Sequence, residues 1–331
     1  MTAEGYAFAR AGLLGNPSDN YFGKILAVTV RNFRARVTVE ESERIVFPPS
    51  AREREGYGSL DEFAARTGLY GYYEGDRLVK AAVKKFQEWC REGGVRLAPR
   101  NFTLIYETDI PRQIGLGGSS ALVTAAVKAL MAFYEVAIPL EILPTLVLRA
   151  EREELDINAG YMDRVAQVYE GLVYMDLDED LIRERSYGRY ERMDPALLPD
   201  LYLAYNPALG KVSGRVLGEM YVRYNQGDPV VRDTLERIAA LAEEGRTALL
   251  SGDRKAFATL MNLNFDLRRS IMTISPRNIE MIEAARACGA SAKFAGSGGS
   301  IVGVYEGEDM YQRLSDALRD LGAVVLKPAI F

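Results

Sequence analysis

The chain has 331 residues, 48% hydrophobic and 26% charged, and its 41 Lys and Arg against 46 Asp and Glu leave a formal charge of −5. That length suits about two domains; the apolar content excludes a disordered chain, and the mild acidity argues against a general nucleic-acid or anionic-membrane binder. Histidine is absent, which excludes a Ser-His-Asp triad, a Cys-His dyad, HExxH zinc sites and any imidazole base, so acid–base work falls to Asp, Glu, Lys, Tyr or Cys.

Residues 6–14 read as a strand entering the turn-forming run Gly15-Asn16-Pro17-Ser18-Asp19-Asn20. Residues 25–33 and 34–39 read as two further strands, the second alternating apolar and charged side chains. Pro48-Pro49-Ser50 and residues 52–58 predict a solvated loop, with a short helical patch at 60–66. Leu78, Ala82, Phe86 and Trp89 share one face of a helix over 78–90. A strand at 102–107 runs into Ile110-Pro111-Arg112-Gln113-Ile114-Gly115-Leu116-Gly117-Gly118-Ser119-Ser120, followed by helices over 121–134 and 139–155 and a strand over 172–177. The charged stretch 178–199, with Pro195 and Pro199, predicts the domain junction, with the boundary between residues 185 and 186.

The second half opens with a strand at 201–205, then helices over 214–224, 229–250, 254–273 and 276–288. Ala292-Lys293-Phe294 enters a second glycine cluster, Gly296-Ser297-Gly298-Gly299, followed by a strand at 300–305, a helix at 310–321 and a strand at 323–327. Strands and helices are mixed in both halves, which predicts two α/β-type domains rather than a bundle or a barrel. Residues 1–15 lack the basic start and apolar stretch of a signal peptide, and the longest apolar candidate, 121–133, is too short for a membrane span and carries Lys128. A cytoplasmic protein with no membrane or nucleic-acid partner is the expectation. Cys90 and Cys288 form no CxxC pair and read as small core hydrophobes.

Two segments carry chemistry. A strand, then Gly115-Leu116-Gly117-Gly118-Ser119-Ser120, then an apolar helix from Ala121, is an arrangement that can hold phosphate. The glycines let the backbone curl toward phosphate oxygens, and the positive end of the helix adds favourable charge. The plainer alternative is a turn whose serine caps the helix. Neither GxxxxGK[ST] nor GxGxxG is present: Gly23-Lys24 and Gly210-Lys211 are followed by Ile25 and Val212. The second segment holds two carboxylates, Glu151 on a helix and Asp163 after the glycine turn of Asn158-Ala159-Gly160-Tyr161-Met162-Asp163. One could help bind a hard cation and the other accept a hydroxyl proton, although Glu151-Arg152-Glu153-Glu154 also reads as a solvated helix face.

Taken together, Arg10 to Asp19, Pro111 to Ala121 and Lys293 to Gly299 resemble the three ordered motifs of the GHMP kinase superfamily. Its middle motif is a proline, three residues and then Gly-Leu-Gly/Ser-Ser-Ser-Ala, and this chain's version is one residue longer. Within the superfamily the chain is most similar to the glucuronokinase family. That likeness is carried by Gly12-Leu13-Leu14-Gly15-Asn16-Pro17-Ser18-Asp19, Gly71-Tyr72-Tyr73, Asp163-Arg164-Val165-Ala166-Gln167, Asn206-Pro207 with Gly210-Lys211-Val212, and Asn264-Phe265-Asp266-Leu267-Arg268-Arg269.

The resemblance implies an α+β, two-domain GHMP kinase fold, with an N-terminal ribosomal protein S5 domain 2-like half and a C-terminal ferredoxin-like half. ATP would lie at their junction. It implies ATP and Mg²⁺ as cofactors and an anomeric hydroxyl of glucuronate as phosphoryl acceptor. Asp163 would be the base and Arg10 its charge-stabilising partner. Pro111, Gly115, Leu116, Gly117, Gly118, Ser119, Ser120 and Ala121 would bind ATP, and Ser120 and Glu151 the metal. Arg10, Asn16, Asp19, Tyr72, Asp163, Lys211, Gly296, Ser297 and Gly298 would face the acceptor. Asn16 replaces a glutamate of galactokinases. A uronate carboxylate calls for a cation, for which Lys211, then Arg164 and Arg112, are the candidates. For Tyr72 and Tyr73 a surface-to-core aromatic pair is the plainer and favoured reading. The competing readings are a kinase of the same superfamily for another sugar or small alcohol, a non-catalytic ATP-binding regulator, and an RNA-associated protein, the last disfavoured by the charge of −5.

Overall fold

The computed structural model describes residues 1–48, 75–209 and 213–330. Two antiparallel sheets dominate it. In the first, β1 (Thr2–Leu14) pairs with β2 (Lys24–Ser42). The 19-residue β2 then serves two further neighbours, β3 (Asn101–Thr108) through residues 35–42 and β4 (Leu172–Asp176) through residues 24–28. The sequence pattern predicts two strands where the structure has this one. The reason lies opposite β1, where Phe8 pairs with Arg34 but Ala9 with Val30, so Arg31, Asn32 and Phe33 bulge out of register. Arg31 and Asn32 are exposed and break the alternation without ending the strand.

The first half also holds α1 (Gly75–Glu92), α2 (Gly118–Tyr134), α3 (Leu143–Leu155) and α4 (Met162–Tyr169). The predicted 139–155 helix starts later, at Leu143, because Pro144 has no N–H to give and is tolerated only in a first turn. Helix α2 starts three residues before Ala121, so Ser119 and Ser120 lie inside its first turn. The 178–199 stretch contains α5 (Glu179–Arg185), capped by the Asp178 side chain, and β5 (Arg189–Met193), which pairs with β4 along its whole length. The first sheet therefore continues to Met193, past the 185/186 boundary.

The second sheet has the order β7-β8-β6-β9, formed by Lys293–Phe294, Ser300–Val304, Leu201–Tyr205 and Val324–Leu326. Five helices accompany it among the described residues: α6 (Ser213–Asn225), α7 (Pro229–Leu250), α8 (Arg254–Ile271), α9 (Pro276–Ala287) and α10 (Gly307–Asp320). Tyr202, Phe265, Ile282, Phe294 and Leu314 close one side of this sheet. On the other side Leu203 and Val302, with Leu241 and Phe257 of α7 and α8, join the core built on Leu13, Val28, Ala121 and Leu130. That shared core presses the second glycine cluster against the first. No described helix is long and apolar enough to cross a membrane.

Candidate active site

Three segments far apart in sequence are knitted together at the core's edge. The Arg10 amide donates to Leu116 O at 3.2 Å and the Gly12 amide to Ala295 O at 2.7 Å. Ser300 Oγ donates to Ile114 O at 2.6 Å. Gly117 makes the middle segment possible: at φ 76° it occupies the left-handed region and starts α2 without a side-chain cap. The helix N-terminus and the amides of 118–120 are thereby presented together, and Ser120 Oγ donates to Gly117 O at 3.1 Å. Leu116 and Ala121 are buried supports of this loop, whereas Pro111 and Ser119 are half-buried at its flanks.

Asp163 lies in the first turn of α4, beside this loop. The Nε and Nη2 atoms of Arg10, itself buried on β1, both lie 2.6 Å from Asp163 Oδ1. Arg10 Nη1 also donates to Gly115 O at 2.5 Å. Ser120 Oγ is 3.3 Å from Asp163 Oδ2. Burial works to raise the Asp163 carboxyl, but Arg10, then Arg164, and the hydrogen bonds from Arg10 and Ser120 outweigh it and hold the group below its ordinary value. The result is a carboxylate kept ionised at the lip of a phosphate-type loop.

Asp19 is a second buried carboxylate near Asp163, and the Met162 amide donates to its Oδ2 at 3.2 Å. Burial, then the charge of Asp163, push Asp19 up. Glu151 is fully buried, with Oε2 held by Arg164 through Nε at 2.7 Å and through Nη2. Burial raises its carboxyl against the pull of Arg164. Its other oxygen, Oε1, is buried with no hydrogen-bond partner. Such an orphaned acceptor suits a hard cation, which needs only one or two carboxylates when phosphate oxygens complete its shell. Because Arg164 is taken up by Glu151, Gly160 O and Asp163, it is not the spare cation that the sequence offers for a substrate carboxylate.

Asn16 and the turn at 296–299 complete the cluster around Arg10. Asn16 is buried and receives a hydrogen bond from Lys293 Nζ, which also donates to Gly12 O at 2.7 Å and Phe294 O at 2.9 Å. Burial, then the charges of Arg268 and Arg10, bring the Lys293 ammonium well below the usual lysine range. Gly296 lies so close to its neighbours that a Cβ there would stand 2.1 Å from Gly115 O and 2.8 Å from Arg10 Nη1. Ser297 and Gly298 follow it on the same turn, next to Gly115. Tyr72, Tyr73 and Lys211 lie outside the described residues.

Four site residues have no role from sequence alone: Gln167, Asn264, Arg268 and Lys293. Gln167 is buried and donates to Gly117 O at 2.7 Å. Asn264 and Arg268 belong to the buried stripe of α8, among Phe257, Met261, Phe265 and Ile271. Polar residues at apolar-stripe positions were the available signal. Asn264 accepts from the Gly15 amide at 2.8 Å and donates to Asn16 O at 3.0 Å. Arg268 Nη1 donates to Gly296 O at 2.7 Å and Nη2 lies 3.4 Å from Ser297 O. One helical turn therefore pins the first segment and the third.

Comparison with known proteins gives a consistent picture. The model of the GHMP kinases N terminal domain matches residues 77–171, and that of the GHMP kinases C terminal matches residues 246–324. Glucuronokinase 1 of Arabidopsis thaliana is 44% identical over 326 residues, covering 96% of this chain and 89% of that protein. Probable glucuronokinase 2 of the same plant is 46% identical over 330 residues, with the same coverage of 96% and 89%. Among solved structures, Streptococcus pneumoniae phosphomevalonate kinase in complex with phosphomevalonate and AMPPNP superposes with a TM-score of 0.77 at 17% identity, over 100% of both chains.

Proposed function

Because the chain belongs to the GHMP kinase family, we propose that it transfers the γ-phosphoryl group of ATP to the anomeric hydroxyl of D-glucuronate, giving the 1-phosphate. The observation that carries this reading is the Arg10–Asp163 pair at the lip of the 115–120 loop, in a chain 44% and 46% identical over 96% of its length to Glucuronokinase 1 and Probable glucuronokinase 2 of Arabidopsis thaliana.

Phosphoryl transfer asks mainly for positioning and charge stabilisation. The amides of the loop and the N-terminus of α2 hold the phosphates. Asp163 accepts the proton of the attacking hydroxyl as its oxygen bonds to the γ-phosphorus and the bond to ADP breaks. Sugar anomeric hydroxyls are more acidic than ordinary alcohols, so a carboxylate of low proton affinity suffices without an imidazole. Arg10 keeps that carboxylate charged and oriented, and Asn16 and Asp19 take the sugar hydroxyls. Glu151 Oε1 and Ser120 would hold Mg²⁺, which when bound supplies positive charge to the phosphate oxygens.

The test is ADP release with MgATP against glucuronate, galacturonate, galactose and glucose, using the wild type and Asp163→Asn. The wild type should prefer glucuronate. The variant should bind ATP unchanged by calorimetry and lose about 10²–10⁴-fold in kcat, the range for a general base. Turnover within threefold of wild type would remove Asp163 from that role, and a preference for a neutral hexose would remove the uronate.

A further inference from the structure

Buried arginines are affordable when a carboxylate answers them. Arg10 has Asp163 and Arg164 has Glu151. Arg268 is 2% exposed and, among the described residues, forms no ion pair. Its acceptors are the two carbonyls of Gly296 and Ser297, its Nε is buried with no partner, and its guanidinium lies 5.1 Å over the Phe294 ring. Holding two carbonyls does not require a charge; a neutral amide donor could serve.

The position of the charge gives it a purpose. Arg268 holds Gly296 and Ser297, which stand against Gly115 and Arg10, and Asn264 one helical turn earlier holds Asn16 O, which places the guanidinium behind the wall shared by the turn and Asn16. The pocket that would take the sugar is thus backed by a fixed positive charge. Asp19 also lies within reach of that charge, and burial and then Asp163 raise its carboxyl. A neutral sugar brings no counter-charge to Arg268, and an acceptor carrying a carboxylate brings one.

We propose that Arg268 is the specificity-determining charge that favours an anionic acceptor in the pocket of Asn16 and Asp19, acting as a positioning residue through the 296–299 turn. This rests on reading that pocket as the uronate site. Asn264, one turn earlier on α8, anchors the same wall without contributing charge.

The experiment compares KM and kcat for D-glucuronate, its neutral isostere D-glucuronamide and glucose at saturating MgATP. The wild type should show a KM for glucuronate at least about tenfold below that for the amide. Arg268→Gln should raise the glucuronate KM by a similar factor, with the amide and glucose values within about threefold, and Arg268→Lys should restore most of the preference. Asn264→Ala should lower kcat for all three acceptors and leave the ratio of KM values intact. Equal KM values for glucuronate and glucuronamide in the wild type would overturn the proposal whether or not any variant folds. So would Arg268→Gln shifting all acceptors alike. Failure of the wild type to phosphorylate glucuronate at all would instead sink the functional reading beneath it.

Discussion

Asp163 and Asp19 are neighbouring carboxylates driven in opposite directions. Asp163, held low by Arg10 against its burial, favours the fold when ionised. Its contribution is complete above the unfolded value of about 3.9 and is lost as pH falls through the still lower folded value. Asp19 is raised by burial and by Asp163, so the folded chain holds that proton more tightly than the unfolded one. Stability is therefore lost as pH rises through the folded Asp19 value. Replacing Asp19 by Asn, which keeps an acceptor for the Met162 amide, should raise Tm by about 2 °C at pH 8. The gain should vanish near pH 4, and the KM for the sugar should rise. Scanning calorimetry at both pH values checks this, and a lower Tm at pH 8 would mean that the ionised Asp19 is a net stabilising partner of Arg10.

At the scale of elements, the site depends on how closely three backbone segments approach. Gly296→Ala would drive a methyl group into Gly115 O and Arg10 Nη1, and a backbone carbonyl cannot swing aside as a side chain can. The expected outcome is a loss of about 1–3 kcal/mol of stability and at least about a tenfold fall in kcat, read by chemical denaturation and by ADP release. Unchanged kcat would show that Arg10 holds Asp163 without the glycine turn in register. The glycine runs are easy to find in sequence because several small residues stand together. Where α2 starts is harder, since Gly118-Ser119-Ser120 has no apolar periodicity and the helix is begun by the left-handed Gly117. Strand β5 is hidden in a charged stretch because only its last residue, Met193, is buried. Arg268 and Asn264 are visible as polar residues on an apolar stripe, but the carbonyls they serve lie in remote segments that only the fold brings near.

Across the whole molecule, each sheet has a cluster of its own on one face, but the two also share the largest core. Leu13, Val28 and Leu130 of the first half share one cluster with Leu203, Leu241, Phe257 and Val302 of the second. Sequence composition marks two halves, because each has its own run of strands and helices, yet it carries no trace of this joint burial, which brings together side chains as distant as Leu13 and Val302. The expected consequence is one cooperative unfolding transition, with calorimetric and van't Hoff enthalpies that agree. Two resolved transitions would show that the halves are stabilised independently.

The clasp between Lys293, Asn264 and the turn at Gly15 and Asn16 also bears on how such a chain can diversify. The proposed acceptor site is written partly near the beginning of the polypeptide and partly in its last third, so recombination between relatives at the junction of the halves would inherit mismatched walls. New acceptors are reached more readily by paired substitutions across the clasp than by exchange of whole domains.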